Sequence, residues 1–333
     1  MLFILALGLG TGLGLRNHGN DTGDPSSQAP KRGSNVVVVM SDDQDLLLNS
    51  MSAMPNVKRL IGEQGVTYDK HYCTIAWCCP SRVNFLTGKA AHNTNVTSTG
   101  PPYGGWPKFT DQGLNDNWLP VWINESGIST YYVGKLMNAY GVHNLAQPQH
   151  PRGWTNSSFL LDPWTYNYYH SRWSHGETAD ILKYDGQHTT EVTEMKALEM
   201  IDQAANASNP FFMMIAPVAP HQEIAGSVHA PPPPKGYEDR FSDEIAPRRE
   251  NFNPDVLSGA SWVRSLPLLT KRQVQVGDDT HVKRLQNIAA IDDMVSNLVQ
   301  KLDGSGLLDN TYIICELGHA SLPSRSLIRS RHN

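Results

Sequence analysis

Cysteine is scarce in this chain, and so are long apolar runs and any excess of basic charge. Four cysteines in 333 residues (Cys73, Cys78, Cys79 and Cys315) are too few for a disulfide scaffold, and the adjacent Cys78 and Cys79 are poor partners for each other. With 27 Lys and Arg against 32 Asp and Glu, the formal net charge is −5. Such a surface offers nothing to a nucleic-acid backbone, and no nucleic-acid partner is expected. The apolar and glycine stretch over residues 2–15 is shorter than the ~20 residues that span a bilayer, so no membrane span is expected either. Ended by Arg16 but preceded by no basic residue, it resembles the apolar region of a secretory signal over residues 1–16; an N-terminal buried strand is the alternative. Acceptor sequons for N-glycosylation at Asn20, Asn95, Asn124, Asn156 and Asn206 each have Ser or Thr two places on. Together with the apolar start they favour the secretory pathway, ending in a secreted, extracellular or lysosome-like location.

What is present suits one large α/β domain, which at this length buries roughly three quarters of its unfolded surface. Residues 17–34, rich in Gly, Pro, Ser and Asp, read as a linker ahead of a domain over 35–315. Val36-Val37-Val38-Val39-Met40 is an unbroken apolar run, as expected of a central parallel strand covered on both faces. Residues 211–215 and 311–315 read the same way, and 128–133 is a shorter strand. Apolar residues at helical spacing predict helices over 55–65, 119–127, 189–204 and 282–302. The Gly/Pro/Trp-rich residues 100–118 read as a loop. Residues 150–184, dense in Trp, Tyr and His, suit a carbohydrate-facing wall or an irregular loop layer, and residues 229–267 form a Pro-rich excursion.

Ligand groups in open α/β sheets collect beyond the carboxyl ends of strands. Asp42 and Asp43 follow the first strand. Two carboxylates ~4–5 Å apart repel by roughly 4 kcal/mol at an effective dielectric near 20, so the pair calls for a cation, and hard oxygens favour Ca²⁺ or Mg²⁺. A solvated acidic turn is the alternative. Lys135 and His221 also lie just past strands. In Cys78-Cys79-Pro80-Ser81-Arg82, Pro80 suits the first position of a helix, which makes Cys79 the N-cap and places Cys78 just outside. Unpaired N–H groups and the helix dipole there would lower a thiol pKa and hold an oxyanion, with Arg82 and Lys89 adding positive charge.

Cys-x-Pro-Ser-Arg, two free positions, two apolar residues and Thr87-Gly88 match the signature of the type I sulfatases at every fixed position. The resemblance implies an alkaline phosphatase/sulfatase-like fold with a mostly parallel central sheet flanked by helices. It implies that a formylglycine-generating enzyme oxidises Cys78 to formylglycine, whose hydrate is the nucleophile, with Arg82 and Lys89 supporting it. Asp42, Asp43 and residue 78 would hold a divalent metal, usually calcium. Gly134-Lys135 and Ala219-Pro220-His221 resemble further family motifs, which gives Lys135 and His221 the sulfate ester. Many arylsulfatases place a histidine two residues after this lysine, whereas this chain has Met137, a form more similar to the glucosamine-6-sulfatase branch. The acid for the leaving group is therefore unassigned.

The resemblance breaks after the last strand. The family follows it with Asp, then Asn or His, then Gly, to complete the metal site; here Glu316-Leu317-Gly318-His319 follow, and residues 316–333, with Arg325, Arg329 and Arg331, read as an atypical tail. Glu316 offers one oxygen ligand and Leu317 none. The C-terminal subdomain of a complete sulfatase is expected to be missing. Two functions follow: a sulfuric ester hydrolase acting on aryl sulfates or 6-sulfated glucosamine, or a catalytically inactive, truncated sulfatase-like secreted protein.

Overall fold

The structure, a computed structural model, describes residues 3–6, 33–68, 71, 73–145, 149–207, 209–255 and 259–316. Most of the expected signal and linker, the sequon at Asn20 and the tail beyond Glu316 lie outside the described residues. In chain order the elements are β1 (Phe3–Ala6), β2 (Asn35–Met40), α1 (Pro55–Val57, continued by a wider helical turn over Lys58–Gly62), β3 (Gly65–Tyr68), α2 (Cys78–Thr87), α3 (Ala91–Thr94), α4 (Gly105–Asp111), α5 (Leu119–Glu125), β4 (Ser129–Gly134), β5 (Asn156–Phe159), β6 (His170–Ser174), β7 (Ile181–Asp185), α6 (Thr189–Asn206), β8 (Phe211–Ala216), β9 (Glu223–Ala225), β10 (Ser227–His229), α7 (Ser261–Arg264), α8 (Lys271–Gly304) and β11 (Thr311–Glu316).

Seven strands form one sheet in the order β3-β1-β11-β2-β8-β4-β5. β11, β2, β8, β4 and β5 run parallel, and β1 joins β11 and β3 antiparallel. This is the mostly parallel sheet the apolar runs predict, with an antiparallel edge. Residues 3–6, inside the apolar start, are a strand of that sheet. Two short antiparallel ribbons, β6 with β7 and β9 with β10, lie outside it.

The strand period of two sends alternate side chains to opposite faces. Val37 and Val39 join Met213, Ile215, Ile313 and Cys315 against Ile288, Ile291, Val295 and Leu298 of α8 and Val192 and Ile201 of α6. Val38 and Met40 join Tyr132, Met214 and Ala216 against Val83 and Leu86 of α2, with Trp106, Phe109 and Trp118 behind them. Both faces are thus dry, which explains why the strands read as continuous apolar runs.

Several boundaries differ from the sequence expectation. α8 begins at Lys271, not 282, because its first turns carry polar, largely exposed residues that give no apolar stripe, while Thr270 and Gln273 cap its start. The expected loop over 100–118 contains α4, whose Trp106 and Phe109 are fully buried. Asp292 accepts the backbone N–H groups of Asn56 (2.9 Å) and Val57 (2.8 Å) and so caps α1; Asp293 accepts from Tyr237 Oη at 2.7 Å.

Candidate active site

Four segments far apart in sequence meet at the carboxyl edge of the sheet. β2 delivers Asp42 and Asp43, β4 delivers Lys135, β8 delivers His221, and the N-terminus of α2 brings Cys78 and Arg82. The turn after β2 is fixed by backbone contacts: Asp42 N donates to Ala219 O at 3.1 Å, and Arg284 Nη2 donates to Asp43 O at 2.6 Å. Asp43 itself sits at φ 63°, a left-handed conformation that aspartate tolerates better than most residues and that turns its carboxylate back into the site. Gly134 is required where it stands. Its φ is +114°, and a Cβ there would lie 2.1 Å from Ala216 O, the carbonyl that Lys135 N binds at 2.8 Å.

Asp42 is the hub, fully buried and paired with two buried cations. Lys135 Nζ donates to its Oδ2, and Arg82 Nη2 lies 3.4 Å from its Oδ1. Arg82 Nη1 also holds the Lys135 carbonyl at 2.5 Å, where Tyr132 Oη donates as well. Burial alone would pull the Lys135 ammonium down, but the Asp42 carboxylate, with Cys78 and Tyr166 adding to it, holds the ammonium well above its ordinary value. His221 Nε2 stands 3.5 Å from Asp43 Oδ2. Burial raises the Asp43 carboxyl, His221 only partly counters this, and the neighbouring Asp42 adds to it.

Cys78 closes the cluster: one ligand atom each from Asp42, Cys78 and His221 lie within 4.8 Å of one another. Two expectations about Cys78 need correction. It is the first residue of α2, with Trp77 as N-cap and Pro80 in the third position, which the helix tolerates because first-turn N–H groups have no intrahelical partner. The first helical bond runs from Ser81 N to Trp77 O at 3.0 Å, so the N–H groups before it have no partner within the helix. Its thiol is not activated. Burial, with Asp42 and Asp43 beyond it, pushes it up to about 12, and Lys135 and Arg82 offset this only in part. A helix N-terminus lowers a thiol when solvent remains, whereas here desolvation and two carboxylates dominate.

Lys89 does not join the site. It is exposed past the C-terminal end of α2, whose last residue Thr87 already lies ~14 Å along the axis from Cys78 at 1.5 Å per residue. Met137 is buried among the aromatic residues of the second core cluster and carries no proton to give. Of the described sequons, Asn95, Asn124 and Asn206 are exposed, while Asn156 is half-buried in β5 with its Nδ2 on Gln203 Oε1 at 2.6 Å.

Three site residues were not foreseen. Tyr166 lies against His221, with ring centroids 4.3 Å apart, and Lys135 Nζ sits 4.7 Å from its centroid. Tyr168 Oη donates to His221 O at 2.6 Å. Arg284, on α8, binds Asp45 Oδ2 at 3.1 Å besides Asp43 O. For Arg284 a signal existed, a charge within the stripe of Leu285, Ile288 and Ile291; the tyrosines lay in the aromatic stretch with no pattern to single them out.

Two carboxylates bear on metal binding. Burial raises Asp43 despite nearby cations, and Glu316 Oε2, at the end of the neighbouring β11, is buried without a hydrogen-bond partner among the described residues. Hard oxygens of this kind fit a divalent cation.

The family model described as Sulfatase matches residues 34–315. An arylsulfatase of Chlamydomonas reinhardtii is 35% identical over 297 residues, 84% of this chain and 45% of that protein. The human N-acetylglucosamine-6-sulfatase is 33% identical over 299 residues, 86% of this chain and 51% of that protein. The chain thus spans about half the length of these curated relatives. A solved structure of a protein in complex with its substrate, D-glucosamine-2-N,6-O-disulfate, shares the fold with a TM-score of 0.66 at 20% identity, covering 86% of this chain and 65% of that one. Among the described residues no helix is long and apolar enough to cross a membrane.

Proposed function

This chain belongs to the sulfatase family, and on that premise we propose that it hydrolyses a sulfate ester and releases inorganic sulfate, with residue 78 as nucleophile. The observation that carries this reading is the convergence of Cys78, Asp42 and His221 within 4.8 Å, beside the buried cations Lys135 and Arg82. A thiol near 12 is ionised in about one molecule in 10⁵ at pH 7, so unmodified Cys78 would be a weak nucleophile. Converted to formylglycine, residue 78 would offer the two hydroxyls of an aldehyde hydrate, one to attack sulfur and one to expel the sulfo group as sulfate. Because Cys78 is buried, the maturation enzyme that makes this change must reach it before α2 packs onto the sheet.

Lys135 and His221 would bind the sulfate oxygens, and Arg82 holds both Asp42 and the Lys135 carbonyl in place. Asp42 and Asp43 would hold a divalent cation, calcium by its hard oxygen donors, which when bound polarises a sulfate oxygen and favours the anionic nucleophile. The relatives' names support an aryl sulfate or a 6-sulfated glucosamine as substrate. The sequons support passage through the secretory pathway to a secreted, extracellular or lysosome-like location. Coexpression with a formylglycine-generating enzyme, mass analysis of the peptide bearing residue 78 and a sulfate-release assay test the proposal. Conversion of Cys78 with metal-dependent sulfate release is expected; an unmodified thiol and no metal-dependent turnover would defeat it.

A further inference from the structure

Breaking the sulfur–oxygen bond of a sugar sulfate expels an alkoxide, which needs a proton as it leaves, whereas 4-nitrophenolate leaves without one. Among the described residues, the hydrogen-bond donors around residue 78 are nearly all engaged. Lys135 Nζ donates to Asp42, and Arg82 donates to Asp42 and to the Lys135 carbonyl and keeps its protons. Tyr132 Oη donates to the Lys135 carbonyl at 2.5 Å, and Tyr168 Oη to the His221 carbonyl at 2.6 Å. His221 has Nδ1 2.7 Å from the Gln222 carbonyl and Nε2 3.5 Å from Asp43, so both ring nitrogens face oxygen acceptors.

Tyr166 differs from all of these. Its oxygen accepts from Asn138 Nδ2 at 2.7 Å and the Lys135 ammonium lies beside its ring, and neither an amide NH₂ nor an ammonium can take its proton. Among the described residues its hydroxyl donates to no acceptor. The ring is wedged between Lys135 and His221, the two groups assigned to the sulfate, and is only 9% exposed. Burial raises the phenol above its ordinary value, so the proton is present throughout the neutral range.

Resting on the sulfate-ester reading above, we propose that Tyr166 is the catalytic residue that protonates the leaving oxygen of an alkyl sulfate, the class to which a sugar sulfate belongs. As a hydroxyl oxygen of residue 78 bonds to sulfur, its proton passes to the Asp42 carboxylate, which lies within 4.8 Å of residue 78, while the bond from sulfur to the sugar oxygen breaks and its electron pair stays on that oxygen. The Tyr166 proton moves to it and yields the free alcohol. The tyrosinate left behind is held by the Asn138 amide and faces the Lys135 ammonium; Asp42 gives up to solvent the proton it took, and a proton from solvent restores the phenol before the next turnover.

Tyr166→Phe keeps the ring and removes only the proton. With the full chain coexpressed with the maturation enzyme, kcat/KM is measured on glucosamine 6-sulfate, phenyl sulfate and 4-nitrophenyl sulfate. A loss of about 10²–10⁴-fold is expected on the sugar sulfate, less on phenyl sulfate and within a few-fold on 4-nitrophenyl sulfate. Retained turnover of 4-nitrophenyl sulfate also reports that the variant is folded. Equal losses on all three substrates, or none, would overturn the donor role while leaving the hydrolase reading intact. A wild-type protein that carries the modification yet releases no sulfate from any of the three would overturn both.

Discussion

Glu316 ends β11 with one carboxylate oxygen buried and, among the described residues, unpartnered, and burial raises its carboxyl from 4.5 to about 7, with Arg82 countering in part. Between those values the folded protein keeps a proton that the unfolded chain has lost, so this group's contribution to stability falls as pH rises through the window, by about 3 kcal/mol in all. His188 acts in the opposite sense. Its burial lowers the imidazole to about 4, so its contribution grows with pH between about 4 and 6.5. The two trends offset each other in the native protein, and removing one exposes the other. Glu316→Gln is therefore expected to match the native protein near pH 4 and to exceed its stability by about 3 kcal/mol above pH 7, measured by urea unfolding across that range. A constant difference at every pH would show that the carboxyl titrates normally. At this scale the sequence pointed to Cys78, Asp42, Asp43, Lys135 and His221, because each sits in a motif or at a strand end. It misplaced Lys89, since position along a helix does not reveal which end faces the site. It left Tyr166 unmarked, because only the folded chain shows which tyrosine of an aromatic stretch lies between Lys135 and His221.

The strands that carry these residues were the most legible elements. β2, β8 and β11 are apolar runs because both faces of the sheet are covered, and that composition can be read without knowing the partners. Strand order and register were not legible, since they depend on pairings between residues 36 and 212 or 38 and 314 that no local pattern encodes. The short α4 was hidden by Gly104-Gly105 and Pro107, residues that ordinarily mark turns. Gly134 shows how tightly an element can fix a site residue. A methyl group there would meet the Ala216 carbonyl at 2.1 Å and the residue would be strained at φ +114°, whereas Gly127, at φ +84°, has open space around its Cβ position. Gly134→Ala is expected to cost about 3 kcal/mol or more, strain and overpacking together, and to displace Lys135; Gly127→Ala should cost about 1–2 kcal/mol from strain alone. Chemical denaturation of both variants decides this, and equal losses would mean that the close approach at Gly134 relaxes without consequence.

Across the whole molecule, segments near residues 42, 78, 135 and 221 form one site only while the sheet is intact, so a ligand that needs them together binds the native state and not the unfolded chain. Such binding adds RT ln(1 + [L]/Kd) to stability, about 2.7 kcal/mol at a hundredfold excess over Kd, which for a domain of this size raises the melting temperature by several degrees. Calcium is therefore expected to raise the melting temperature over that in chelator, most strongly if Asp42 and Asp43 are its ligands. Asp42→Asn separates this from a general salt effect. It withdraws the carboxylate that neutralises Lys135 and Arg82, both buried, and should cost about 3–5 kcal/mol even in chelator, because two cations are left without their counter-charge. The calcium-dependent increment should vanish in the same variant, while magnesium chloride at equal ionic strength should give a smaller shift in the native protein. If Asp42→Asn keeps the full calcium increment, the ion binds elsewhere and the acidic pair after β2 serves only to balance Lys135 and Arg82.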